Sequence, residues 1–321
     1  MGLFLSTPGR RTRTVAALIV LYSIIAVRRK RRAAQTREQS LDGKTVVVNG
    51  VGSGVGHYIA LECGARGATV VVVDCSDGSA ASCANVIDMR NGRAFCFSCD
   101  TTDEKTLNEK LLVPLGRLIQ DKKIAPVEVV IDVNVRPPVD GKLAQPLHML
   151  SMESIKKEFD VAALGHFTVL RAFLSEMIQS NRGTLAIVSS SAAITGVANQ
   201  SHFCANQFAA CGLTDALRTE LCEYGLDGIN VFWACVHLNM IDATVFSGQT
   251  HSKQQLCPPV KLQNAAYKII DGICRRDSTL FVPSYLGAVS CLRGLLPMRI
   301  FNWFCALLGL SGWHNHLSNQ I

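Results

Sequence analysis

From Thr45 onward the chain alternates between two periodicities. Short β-branched or apolar runs at Thr45–Asn49, Thr69–Asp74, Ala94–Cys99, Val127–Val133, Thr184–Ser189 and Ile229–Ala234 predict strands. Between them lie stretches with apolar residues at three- and four-residue spacing. These predict helices from the glycine loop through Arg66 and over Ala80–Arg90, Asp103–Gln120, Ser151–Ser180 and Ser201–Tyr224. TVVVVD at Thr69–Asp74 is an unbroken apolar run, as expected of a strand covered on both faces. Strand–helix alternation predicts an α/β fold, a doubly wound parallel sheet of about seven strands with right-handed crossovers. Ligands of such a sheet bind beyond the strand C-termini, where the strand order reverses.

The two ends of the chain break this pattern. Val15–Val27 is an apolar or small run of 13 residues with RRKRR directly after it. As a helix it reaches about 20 Å, short of a ~30 Å hydrocarbon core, and flanking arginines extend it by snorkelling. No small-residue cleavage site follows, so a retained membrane anchor is expected, as a short span, a hairpin or an in-plane helix. The heavier basic cluster on its C-terminal side keeps the body cytosolic. Met1–Ser6 also fits the loose pattern for myristoylation at Gly2. At the other end, Leu280–Trp313 is apolar but interrupted by Pro283, Arg293, Pro297 and Arg299. It reads as a C-terminal helix packing on the core or as a second membrane-contacting patch. The expected organisation is an anchor over 1–40, one α/β domain over 41–282 and an apolar extension over 283–321.

Charge sharpens this division. The net charge of +7 is not spread over the chain. Residues 1–40 hold nine Lys and Arg against the single Glu38, a net +8, which leaves −1 for everything after them. The basic balance therefore points to a membrane surface and gives no reason to expect nucleic acid. Thirteen cysteines, an odd number in a chain of 321 residues, mostly fall inside apolar patterns and read as reduced thiols. Cys96 and Cys99 form a lone C-x-x-C with no second pair, so no metal site is expected.

Candidate chemistry begins at Asn49-Gly50-Val51-Gly52-Ser53-Gly54-Val55-Gly56. The glycines lie between a strand and a helix, where they allow a tight turn and close approach of a pyrophosphate to the helix N-terminus. Asp74 ends the second strand about 20 residues on, suited to accept from both ribose hydroxyls. A carboxylate there repels a 2′-phosphate, so NAD is favoured over NADP. This is the pattern of a Rossmann fold.

On these residues the chain resembles the short-chain dehydrogenase/reductase superfamily from about Leu41 to at least Ile241, although Asn49 stands where that family usually has Thr. IALECGARGATVVVVD, FDVAALGHFTVLRAFLSEM and GVANQSHFCANQFAACGLTDALRTEL are closest to the membrane-anchored retinol dehydrogenase 10 and 17-beta-hydroxysteroid dehydrogenase 11 group. The resemblance implies adenine contact at Asp100, with Thr101 beside it. It also implies a catalytic tetrad of Ser, Tyr, Lys and Asn. The Ser position is Ser190. The Tyr position is Phe203, the Lys position Gln207 and the Asn position Ala162. A phenol of pKa near 10 needs a cation beside it to act as a base near neutrality, and here both phenol and cation are missing. Loss of general acid–base catalysis alone removes about 10²–10⁴ in rate. The family's N-N-A-G reads Asp132-Val133-Asn134-Val135, and its Pro after strand six is Val236. The adenosine half thus looks kept and the nicotinamide half altered.

Two histidines are candidate substitutes. His202 adjoins Phe203, points about 100° away from it on a helix and is expected to be partly exposed. His237, at a strand end, is the better placed, because an imidazole titrates near neutrality. Ser189–Ser191 lack a His–Asp pair in register and form no hydrolase triad. Three functions are therefore weighed. The favoured one is a membrane-attached pseudoenzyme that binds NAD or an adenine nucleotide on the cytosolic face of the endoplasmic reticulum or lipid droplets, as a homodimer or with an active relative. The rivals are a working NAD(P)-dependent oxidoreductase on lipophilic alcohols or ketones, and a structural protein without ligand.

Overall fold

Side chains along β1 (Thr45–Asn49) point alternately to two apolar layers. Val46 and Val48 enter one and Val47 the other, and all three are buried. β2 (Thr69–Asp74) repeats this with Val70 and Val72 against Val71 and Val73. A strand covered on both faces needs helices on both, and the chain supplies them. In the computed structural model residues 41–52, 54–133, 145–237 and 260–310 are described; Ser53, Asn134, Val135, Trp313 and the whole anchor segment lie outside them. The chain divides into residues 1–40 and 41–321.

The sheet has seven strands in the order β3-β2-β1-β4-β5-β6-β7, and every pairing is parallel. After β2 come β3 (Arg93–Ser98), β4 (Val127–Val133), β5 (Gly183–Ser190), β6 (Ile229–Val236) and β7 (Thr279–Val282). One layer is formed by α1 (Gly54–Ala65), α2 (Asp77–Met89) and α8 (Leu262–Cys274). The opposite layer contains α3 (Glu104–Leu107) running through a π-turn into α4 (Val113–Gln120). Beside it lie α5 (Met152–Phe159), which a π-turn at Asp160–Leu164 joins to α6 (Gly165–Ser180), and α7 (Ser201–Glu223).

The helix over Met152–Ser180 is long and apolar enough to cross a membrane. Val169, Leu170, Phe173 and Met177 are buried against the sheet, which makes it a core helix.

Pattern and structure differ where pairing outruns hydrophobicity. β5 and β6 extend to Ser190 and Val236 because the two strands stay in register to that pair and β6 then pairs with β7 as far as Val282. The seventh strand overlaps the start of the apolar segment from Leu280, which was expected as a helix or a membrane-contacting patch. The helices α9 (Tyr285–Leu295) and α10 (Met298–Leu307) follow it and bury Leu286, Val289, Phe301 and Cys305 together with Trp233 and Cys235.

Candidate functional site

The strand order reverses between β1 and β4, and the two C-termini there carry Asn49 and Asp132 at paired positions. The loop leaving β1 presses onto β4. Gly50 has φ +84°, and a Cβ on it would lie 2.0 Å from the Val133 carbonyl oxygen. Only glycine fits both requirements. Gly54 opens α1, and Val55 and Gly56 are buried in its first turn.

Asp74 is held from the same loop. Its Oδ2 accepts from the Gly52 amide at 2.7 Å and its Oδ1 from the Ser76 amide at 3.0 Å. The Cys75 thiol also donates weakly to Oδ1 at 3.8 Å. A carboxylate offers about four acceptor positions, so Asp74 keeps acceptor capacity for a ribose hydroxyl. Asp100 is exposed and accepts from the Thr102 amide and hydroxyl at 3.0 and 2.7 Å. A tight glycine turn, a helix N-terminus and a fixed carboxylate at the topological switch point fit the adenosine and pyrophosphate portion of a dinucleotide.

Beneath this cradle lies a buried polar chain. Asn49 Nδ2 donates to Asp132 Oδ1 at 2.8 Å and to Thr101 Oγ1 at 3.2 Å. His166 Nδ1 lies 2.7 Å from Asp132 Oδ2, and both residues are fully buried. Asn49 therefore acts as a brace between β1, β4 and the loop that follows β3. Asp132 was expected only as the first position of an altered cofactor motif, and His166 was not expected at the site. An acid inside the apolar strand VEVVIDV was the available signal, since a buried carboxylate needs partners.

At the chemical end the structure brings Ser190, Phe203 and Gln207 together, with all three side chains buried. Phe203 and Gln207 are one turn apart on α7. Phe203 packs with Ala192, Val197 and Cys204 against the turn Ser191–Ala193. Gln207 Oε1 accepts from the Ser190 amide at 2.7 Å, with both residues buried. A lysine has no acceptor and makes no such bond. Ser190 Oγ accepts from the Ala192 amide at 3.3 Å, capping the turn. Ala162 is buried within the π-turn that joins α5 and α6. No tyrosine in the chain has a lysine four residues on.

His237 follows β6 just as Ser191 follows β5, and the strand register sets the two side by side. Ser191 Oγ and His237 Nδ1 share a hydrogen bond of 2.8 Å. Burial lowers the His237 pKa to about 4, so this imidazole does not titrate near neutrality as expected. His202 is buried instead of partly exposed, because α7 turns it inward with Phe203 and Cys204. Trp233 Nε1 donates to Ser189 Oγ at 2.6 Å, so all three consecutive serines have fixed partners. No local pattern signals the Ser191–His237 pair, which depends on the register of β5 against β6.

Twelve described cysteines are free, six of them buried, and burial raises the thiol pKa of Cys83 and Cys211 to about 11. Cys96 lies exposed on edge strand β3 and Cys99 is buried just beyond it. Among the described residues no cluster of three His, Cys, Asp or Glu is placed to hold a metal ion.

The family model for short chain dehydrogenase matches residues 44–254. The chain is 27% identical to human epidermal retinol dehydrogenase 2 over 264 residues, 81% of each protein. It is 27% identical to human 17-beta-hydroxysteroid dehydrogenase 13 over 272 residues, 82% of each. Among solved structures it resembles a short chain dehydrogenase/reductase from Burkholderia phymatum in complex with NAD. That match has a TM-score of 0.64 at 16% identity and covers 80% of this chain and 94% of the other.

Proposed function

The chain belongs to the short-chain dehydrogenase family, and from that premise we propose that it is a membrane-attached, nucleotide-binding member that does not turn over alcohols or ketones. One observation carries this reading: Gln207 is committed to the Ser190 amide, and its neighbour Phe203 is committed to apolar packing. Neither side chain releases or accepts a proton, and the pair fills the space a phenol and an ammonium would need. Losing both also removes the cation that tunes the phenol, so the effects compound without adding.

The nucleotide end supports retained binding. Gly50 and the N-terminus of α1 would approach the pyrophosphate, Asp74 would accept from the adenosine ribose, and Asp100 with Thr101 would border the adenine. Gly54, Val55 and Gly56 form the first turn of α1, and Ser53 precedes them in the sequence. Bound NAD would supply a hydride-accepting ring. Asp74, with both oxygens already anchored, favours a ribose with free hydroxyls over a 2′-phosphate. Residues 15–27 with their flanking arginines would hold the domain on the cytosolic face of the endoplasmic reticulum or a lipid droplet. There it would act as a binding or scaffold protein, as a homodimer or beside an active relative.

The test is turnover of NAD(H) and NADP(H) by purified protein with retinol, estradiol and long-chain alcohols, run beside a thermal melt. The expected result is no turnover, with the nucleotide adding about 2.7 kcal/mol at 100 times its Kd. Sustained turnover overturns the reading, and absence of any nucleotide effect leaves only a structural protein.

A second reading, a working oxidoreductase on lipophilic alcohols, draws on the Ser191–His237 pair at the strand ends. Its signature is activity that His237→Ala abolishes while nucleotide affinity is kept.

A further inference from the structure

α10 has two apolar faces, and the body of the protein uses one of them. Phe301 and Cys305 lie one turn apart and are buried with Leu286, Val289 and Trp233. On the outer side Ile300, Trp303 and Leu307 recur at helical spacing and are all exposed, and Leu295 and Met298 are exposed just ahead of them. Trp303 keeps 63% of its surface uncovered. Arg299 and Asn302 are the only polar side chains on this helix. A helix that is apolar all round belongs to a core or to lipid.

Charge decides between a lipid surface and a protein partner. No Asp or Glu occurs from Ser278 to Ile321, whereas Arg293 and Arg299 do. Arg293 is committed inward: it donates to the Ile194 carbonyl at 3.1 Å and stacks 4.4 Å from the Phe208 ring centroid. It fixes the helix pair to the body, and the exposed Arg299 remains beside the apolar stripe. An acid-free, Arg-bearing segment with a tryptophan among aliphatic side chains has the composition of an interfacial helix on anionic lipid.

We infer that the outer face of α10 lies in the plane of an anionic lipid surface, with Ile300, Trp303 and Leu307 toward the acyl chains and Arg299 at the phosphates. This deepens the membrane attachment proposed above and rests on it for delivery of the chain to lipid. The inner face of α10 packs in the same cluster as Ala193 and Ile194. Docking would therefore set the turn after Ser190 one helix layer, about 10 Å, from the lipid.

The experiment uses the full chain with vesicles of acyl-brominated phosphatidylcholine, with and without phosphatidylserine, and reads tryptophan emission and flotation. Bromolipid should quench the wild type, and more strongly with phosphatidylserine. Trp303→Phe should lose most of that quenching. Ile300→Glu combined with Leu307→Glu should reduce it as far, with unchanged circular dichroism. If the chain floats and Trp303→Phe is quenched as strongly as the wild type, α10 is off the membrane and only the anchor holds. If Trp303 is shielded from bromolipid and aqueous iodide alike, another segment or a second copy covers the face and the inference is wrong. A chain that does not float overturns both this inference and the anchor.

Discussion

The nucleotide end and the chemical end of this site lie on either side of β4 in one sheet, yet they are held by different kinds of constraint. At the first, the requirements are backbone requirements. Gly50 sits at a positive φ with no room for a Cβ, and the amides of Gly52 and Ser76 aim Asp74. At the second, side chains have satisfied one another. Gln207 answers the Ser190 amide, His237 answers Ser191, Trp233 answers Ser189, and Phe203 fills the remainder. A cradle made of backbone persists as long as the fold does. Proton transfer depends on two side chains, and a Phe and a Gln occupy their space without disturbing the sheet.

The largest effect that would test this contrast lies under the cradle. Asp132→Leu strands Asn49 and His166 in the core and should cost about 3–5 kcal/mol by urea denaturation, with nucleotide binding lost as well. A loss below about 1 kcal/mol would mean the chain of hydrogen bonds braces nothing.

Next comes pH. His237 is held at about 4 by burial, below its ordinary 6.5. The unfolded chain therefore binds the proton more readily, and stability is complete above about pH 6.5, falls as pH drops toward 4 and levels off below. The contribution at stake is about 3 kcal/mol, and His237→Gln should flatten the profile between those limits. An unchanged profile would place His237 in contact with water.

Smaller still, Gln207→Leu leaves the Ser190 amide buried without its acceptor and should cost about 1–3 kcal/mol while nucleotide affinity stays the same. A matching loss of affinity would show that the two ends are coupled. Least of all, Phe203→Tyr with Gln207→Lys should restore no turnover, because Ala162 and the Ser190 amide remain unsuited to it. Recovered activity in that variant would mean that two side chains alone separate this protein from its active relatives.

Much of this contrast was legible in the sequence. TVVVVD, the glycine loop and Asp74 are local patterns, and each dictates its own geometry. The absence of a phenol and an ammonium at Phe203 and Gln207 was equally plain. The bonds that the side chains around these positions make were not. The Gln207–Ser190 bond joins residues 17 apart, Ser191–His237 joins residues 46 apart, and Asp132–His166 joins residues 34 apart. Such contacts follow from strand register and helix packing, which no window of residues contains. β7 escaped for a related reason. Thr279–Val282 has only four residues, too few for a period, and is a strand because β6 offers it an edge.

The most direct measurement is a calorimetric titration of residues 41–321 with NAD and, separately, with ADP-ribose, which carries the adenosine and both phosphates but no nicotinamide. If the nicotinamide pocket contributes nothing, the two should bind with affinities less than about tenfold apart, a difference under 1.4 kcal/mol. NAD binding several hundredfold tighter than ADP-ribose would show a working nicotinamide pocket, and the proposed separation of the two ends would be wrong.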